Sequence, residues 1–297
     1  MMICGTAGDG FRSRYAGGRM ELRVQGVFSK AMYLQLPDGR LIMLHDETFG
    51  LIPFGVGLRT YAELAAKQLT VQAGAAGRLD GGLLTIDGCP VSIRLEARAC
   101  APVSAVRPAR GALESGAAAW GRRLSGCGKG AVLPLLGLGR PGEENLFARA
   151  AQKPLAQLRG ALVSGSGADM EAALLGLLGL GPGLTPSLDD FISGLQYTLL
   201  FSARNWGLSL AGTPVLTEAV QALAPRRTNP FSACYLLSTA CGERFSLLES
   251  FLDGQAFLNS GAGEQILRIG ASSGADMMCG ILDALRLLGS ADHATTI

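Results

Sequence analysis

The chain is short of charge and of histidine. Charged residues make up 17% of its 297 residues, below the roughly 25% of an average soluble protein. Only His45 and His293 offer an imidazole, and the seven cysteines (Cys4, Cys89, Cys100, Cys127, Cys234, Cys241 and Cys279) form no CxxC pair. Those gaps remove the usual zinc donor sets, so no metal centre is assigned. They fit reduced thiols in the cytoplasm, several of them as small core residues. No run of Lys and Arg exceeds three residues and net charge is +2, which excludes nucleic acid as the main partner. Glycine and proline break every apolar stretch before the roughly 18 residues of a membrane span. Residues 1–19 contain no apolar signal-peptide core and are expected to be disordered, with Met20 a candidate start.

What is abundant is glycine, with 42 residues, in a chain that is 48% hydrophobic. A chain of this length fits two domains of roughly 150 residues each. From Leu22 to Leu95 short apolar runs alternate with tight turns. The clearest is Ala31–Leu36, Pro37-Asp38-Gly39, then Arg40–His45, which reads as a hairpin. Phe54–Leu58, Leu69–Ala73, Leu83–Ile86 and Cys89–Leu95 read as further strands, with a short helix at Tyr61–Gln68. The predicted class is α+β. A β-rich domain over 20–105, an antiparallel barrel or sandwich, precedes a larger helical domain over 106–297. Helices are expected at Leu113–Leu124, Glu143–Ala151, Leu155–Val163, Asp169–Leu178, Leu188–Ala203, Leu216–Ala222, Phe231–Cys241, Phe245–Leu252, Glu264–Ile269 and Ala275–Leu288. The helix from Leu188 is apolar on nearly every side and reads as central. The last one is more one-sided, with Asp283 and Arg286 outward and pairing at i, i+3.

Two helix starts share a pattern. Ser187-Leu188-Asp189-Asp190 is followed by Gly194, and Ser273-Gly274-Ala275-Asp276 by Gly280, both S-x-x-D-x-x-x-G. A looser copy, Ser166–Asp169, has Ala173 in place of the glycine. A capping box can explain each copy singly, with serine as the N-cap and the acid returning the bond. Three details point beyond capping. The turn Gly179-Leu180-Gly181-Pro182-Gly183 is more elaborate than a cap requires, since Thr185-Pro186 can itself start a helix; Asp189 is superfluous to a box; and glycines beside both starts leave the helix ends uncovered. The fourth-residue glycines allow another helix to approach closely. Two such ends would hold a small anion or amide. No Lys follows the turn and no strand clearly precedes it, so it is neither a Walker loop nor a Rossmann fingerprint.

Gly181–Ser187 with Asp189-Asp190, and Gly270 with Ser273–Asp276, resemble the third subunit of the anaerobic oxamate carbamoyltransferase (AllH-like proteins). The resemblance extends loosely to Gly26-Val27-Phe28, the Phe49–Gly57 stretch and Thr228–Gly242. It implies a transferase subunit that helps interconvert oxamate and carbamoyl phosphate with oxalurate and phosphate, in allantoin and purine breakdown, within a hetero-oligomer. The expected substrate-binding residues are Gly181, Gly183, Thr185, Ser187, Asp189, Asp190, Arg227, Thr228, Ser273, Gly274 and Asp276, with Ser232 within reach. No catalytic residue is assigned and no cofactor is expected, although Asp189 and Asp190 can take Mg²⁺. The chain departs from the family at Leu188, where glycine is common. It also has Gly270-Ala271-Ser272-Ser273 where the family carries a Gly-His-Thr-Ser pattern, so no histidine-dependent proton transfer carries over. The competing reading is a non-catalytic scaffold or ligand-sensing subunit. His45 reads as a plain surface strand end, and Cys234 and Cys279 as core residues.

Overall fold

The computed structural model describes residues 2–8, 10–11, 15, 18–61, 71–89, 92–127, 129–139, 145–254, 257–290 and 295–296. The fold is α+β, with two compact units: Met1–Pro102 with Glu243–Leu247, and Val103–Gly242 with Leu248–Ile297.

The first unit is a closed barrel of eight strands: β1 (Met2–Gly8), β2 (Met20–Val27), β3 (Ala31–Gln35), β4 (Leu41–Asp46), β5 (Gly55–Leu58), β6 (Ala76–Asp80), β7 (Leu83–Ile86) and β8 (Ser92–Arg98). The Pro37-Asp38-Gly39 turn joins antiparallel β3 and β4, with Gly39 at φ 87°, a value glycine reaches without strain. Residues 1–19, expected to be disordered, contain β1. It pairs in parallel with β8 from Met2–Ser92 to Gly8–Arg98 and antiparallel with β5. That strand closes the barrel and removes its free edges, a gain local sequence patterns do not announce. The barrel is also not purely antiparallel, since β4 and β5 pair in parallel as well. Leu22, Val24, Met32, Leu34, Ile42, Leu44, Val56, Leu79, Leu84 and Ile93 form its core. The predicted strand at Leu69–Ala73 is absent over 71–73, and its first two residues lie outside the described ones. So does 62–68 of the predicted short helix.

His45 is fully buried on β4 rather than at a surface. One ring nitrogen, Nδ1, lies 2.8 Å from the carbonyl of Asp46, and burial pushes the imidazole down to about 4. Gly55 makes room for it, because a Cβ there would sit 2.7 Å from Nε2.

The second unit is helical: α1 (Arg110–Cys127), α2 (Leu146–Ser164), α3 (Gly167–Leu177), α4 (Ser187–Trp206), α5 (Thr213–Arg227), α6 (Pro230–Ala240), α7 (Ser246–Leu252, shared with the first unit), α8 (Ser260–Ile266) and α9 (Ser273–Ser290). The two helices expected over 143–163 are one, α2, with Pro154 inside it, while 143–144 lie outside the described residues. Gly176 of α3 accommodates the proline, since a Cβ there would lie 2.8 Å from the ring. Among the described residues no helix is long and apolar enough to cross a membrane.

Helices α4 and α9 are the axis of this unit. Every residue from Ser187 to Leu199 is buried, as its all-round apolar pattern predicted. Helix α9 is not one-sided: Gly274 through Leu285 are all buried. Asp283 pairs not with Arg286 but with Arg159 of α2, through two hydrogen bonds of 2.9 and 2.8 Å. A bidentate guanidinium satisfies both oxygens of a carboxylate that is 5% exposed. Arg159→Ala is expected to cost about 2 kcal/mol in urea unfolding. That is less than the roughly 3–5 kcal/mol for a fully buried pair, because Arg159 stays partly in water. Of the described cysteines only Cys279 is buried; Cys234 is half-buried.

Candidate functional site

The loop before α4 turns on Gly179 (φ 78°), Gly181 (φ 126°) and Gly183 (φ 104°), all in the region that side chains avoid. Gly181 has a second requirement, since a Cβ would lie 2.6 Å from the Ser187 nitrogen. The loop hands over to Pro186, which is the N-cap and offers no side-chain bond. Ser187 is therefore not the capping residue expected. It is the first residue of α4, fully buried, and its hydroxyl has no hydrogen-bond partner. Ser273 likewise begins α9. The third copy behaves differently: Ser166 does cap α3, accepting from the Asp169 nitrogen at 3.3 Å. Asp169 is exposed and accepts from Gln157, so that copy is a cap alone.

The two S-x-x-D-x-x-x-G starts are brought together, and the relation is reciprocal. A Cβ on Gly194 would lie 2.1 Å from the Met277 carbonyl, and one on Gly280 1.9 Å from the Phe191 carbonyl. Each glycine thus admits the backbone of the residue that follows the other helix's acid. The polar ends are exchanged in the same way. Ser273 lies close enough to Asp190, and Ser187 to Asp276, to favour the ionised form of each acid. Ser187 Oγ and Asp276 Oδ2 are nonetheless both buried without a hydrogen-bond partner. Thr185 ties the two starts together. Its hydroxyl donates to Asp190 Oδ2 at 2.9 Å and lies 3.0 Å from Ser273 Oγ.

The three acids have different surroundings. Asp189 is the best supported. It accepts from the Gly179 N–H (2.8 Å), from Ser232 Oγ (2.7 Å) and, through a short contact, from Thr228 Oγ1. Burial still raises its pKa, with those donors opposing. Asp190 is raised well above the usual carboxylate range by burial and by the charges of Asp276 and Asp189, against the nearby hydroxyls of Thr185 and Ser273. Asp276 accepts from the Val132 N–H at 3.0 Å through Oδ1, and burial pushes it up to about 6. Gly130 lets that strap approach, since a Cβ there would lie 3.1 Å from Asp276 Oδ1.

Of the expected residues, Thr185, Ser187, Asp190, Ser273 and Asp276 converge. Asp189 turns toward Thr228 and Ser232 instead. Asp189 and Asp190, considered together for Mg²⁺, therefore send their oxygens in different directions. No group of three or more His, Cys, Asp or Glu among the described residues is placed to hold a metal ion. Gly274 packs on the Ile266 carbonyl, where a Cβ would sit 1.8 Å away. The Arg227 guanidinium donates to the Leu175 carbonyl at 2.9 Å, and Gly183 is exposed on the loop. Val132 and Gly130 escaped sequence reading. A backbone N–H carries no side-chain signature, and the only signal was the glycine-rich stretch around them.

The first-turn nitrogens of both helices are largely occupied. Leu188 N donates to Leu180 O, and Asp189 and Asp190 N to Pro186 O. Gly274 N donates to Ile269 O, and Ala275 and Asp276 N to Ser272 O. The cluster therefore presents hydroxyl and carboxyl oxygens rather than a row of free N–H donors. No curated protein and no solved structure matches the chain. Residues 177–285, less than half of the chain but inclusive of both helix starts, match the family model described as oxamate carbamoyltransferase subunit AllH.

Proposed function

We propose that the chain is a subunit of a carbamoyltransferase that interconverts oxamate and carbamoyl phosphate with oxalurate and phosphate. Its setting would be the cytoplasm, in purine or related nitrogen catabolism, with other subunits completing the enzyme. Within it the paired starts of α4 and α9 bind the small substrate. The carrying observation is the Thr185 hydroxyl, which joins Asp190 and Ser273 across the two helices. Carboxyl oxygens at Asp190 and Asp276 accept from an amide –NH₂, while the hydroxyls of Thr185 and Ser273 donate to its carbonyl or to an adjoining carboxylate. Three buried carboxyls disfavour a multiply charged phosphate at this position, so the amide end is the better fit. Gly181 and Gly183 shape the loop beside it, and Asp189, held by Thr228 and Ser232, orients the first turn of α4.

The deep burial of Ser187, Asp190 and Asp276 also suits the second reading, a scaffold or sensing subunit whose partners carry the chemistry. One assay separates them. Phosphate release from carbamoyl phosphate with oxamate is followed in the complex with its companion subunits. Asp190→Asn and Asp276→Asn are expected to lower it at least 100-fold, by analogy with loss of a single oriented polar group in an active site. Full activity in folded variants rules out the substrate site.

A further inference from the structure

The hydroxyl protons of Thr185 and Ser273 are taken up within the cluster. Thr185 donates to Asp190 Oδ2 at 2.9 Å and lies 3.0 Å from Ser273 Oγ, so the two O–H groups serve those two contacts. At Asp276, Oδ1 takes the Val132 N–H, while Oδ2 and the neighbouring Ser187 Oγ are both buried without a partner. No Lys, Arg or His among the described residues forms an ion pair with Asp189, Asp190 or Asp276. The two helix ends supply together roughly one positive charge. The cluster is rich in acceptors and poor in positive charge, and buried polar atoms in that condition are costly unless something satisfies them.

We propose that the facing starts of α4 and α9 form a site for a small monovalent cation, potassium or ammonium, held by Asp190, Asp276 and the hydroxyls of Ser187, Thr185 and Ser273. A monovalent ion is favoured over Mg²⁺ for two reasons. Desolvation rises with the square of the charge, and magnesium keeps several waters and demands octahedral geometry. The side chains of Ser187, Asp190 and Asp276 are almost completely shielded from solvent water. The cation offsets the carboxylates and so lets a substrate with a carboxylate end approach them. This inference shares its location with the substrate reading, but its test contains neither substrate nor companion subunits, so the two fail separately.

The test uses the full chain at constant ionic strength in tetramethylammonium chloride, whose cation is bulky and has no N–H to donate. Potassium, ammonium, sodium and magnesium chlorides are each substituted in, and thermal unfolding is followed. Potassium or ammonium is expected to stabilise the chain saturably, with a roughly hundredfold shift of the folding equilibrium at a hundredfold excess over its Kd. Comparing the potassium and ammonium curves identifies the better ion. Ser187→Ala and Asp276→Asn should each weaken the effect at least tenfold. Thallium(I) NMR on the unaltered chain, with potassium as competitor, reads the site without any variant. Equal responses to all salts, a stronger response to magnesium, or no bound thallium signal displaced by potassium overturns the proposal.

Discussion

Gly280→Ala is expected to destabilise the helical unit by on the order of 3 kcal/mol, with Gly194→Ala close behind. In an ordinary helix the substitution would stabilise by about 1 kcal/mol, because alanine is the better helix former. Here the new methyl meets backbone, at 1.9 Å from the Phe191 carbonyl or 2.1 Å from that of Met277. Neither carbonyl can rotate away as a side chain would, so the helices must separate, and overpacking of this kind commonly costs about 1–3 kcal/mol or more. Gly160 of α2 is the control, since nothing lies within 4 Å of a Cβ there, and Gly160→Ala should be neutral or mildly stabilising. Trp120 and Trp206 both lie in the helical unit, so tryptophan fluorescence during urea unfolding reports on that unit alone. Equal stabilities for Gly160→Ala and Gly280→Ala would show that the two helices do not approach as described. Separation of α4 from α9 would also part Thr185 from Ser273, so the same variant should lose any ligand that bridges them.

The second large effect is a dependence on pH that runs against the usual direction for acids. Asp276 has a folded pKa of about 6, raised from 3.8. Between those values the native state holds a proton that the unfolded chain has released, so stability falls as pH rises. The added stability is fully present below about pH 4 and is gone above about pH 6. At roughly 1.36 kcal/mol per pH unit the difference amounts to about 3 kcal/mol. Asp190 shifts in the same direction and steepens the trend. Asp276→Asn keeps the oxygen that accepts from Val132 and never carries charge. It should therefore be more stable than the unaltered chain at pH 7, with a flatter profile between pH 4 and 6. Urea midpoints across that range, in buffers free of potassium and ammonium, make the measurement. A bound cation would favour the ionised carboxyl and lower its folded pKa toward 3.8, so adding potassium should reduce the loss of stability and end it at lower pH. A variant profile as steep as that of the parent would mean that Asp276 does not titrate abnormally.

Much of this site was visible in the residues. Ser187, Asp190, Ser273 and Asp276 stand out through a repeated spacing, and the all-round apolar face of α4 marks it as central. Thr228 and Ser232, which hold Asp189, were within the candidate set because they lie just before and on the helix expected from Phe231, within reach of the site. Other features escaped because their causes are long-range. Asp283 at i, i+3 from Arg286 looks like a surface pair, but α2 approaches and offers Arg159 with better geometry. Pro154 looks like a break between two helices, yet Gly176 of α3 leaves room for its ring. His45 looks like a polar strand end, although Gly55 and Phe49 pack against its ring. Met2–Gly8 has no strong strand pattern and owes its conformation to partners almost fifty and ninety residues away.

The sequence by itself determined which helix starts were able to meet. Gly194 and Gly280 lack the Cβ that would hold two backbones apart, while Ala173, at the same place in the third copy, keeps one. Only the tertiary structure decided what the serines do once there. With Pro186 capping α4, Ser187 moves one step into the helix and turns from a cap into a buried hydroxyl beside the opposite helix's acid. A capping serine satisfies the chain it belongs to, whereas one inside the first turn is free to face another helix. That difference depends on how each loop enters its helix and on which helix waits across from it.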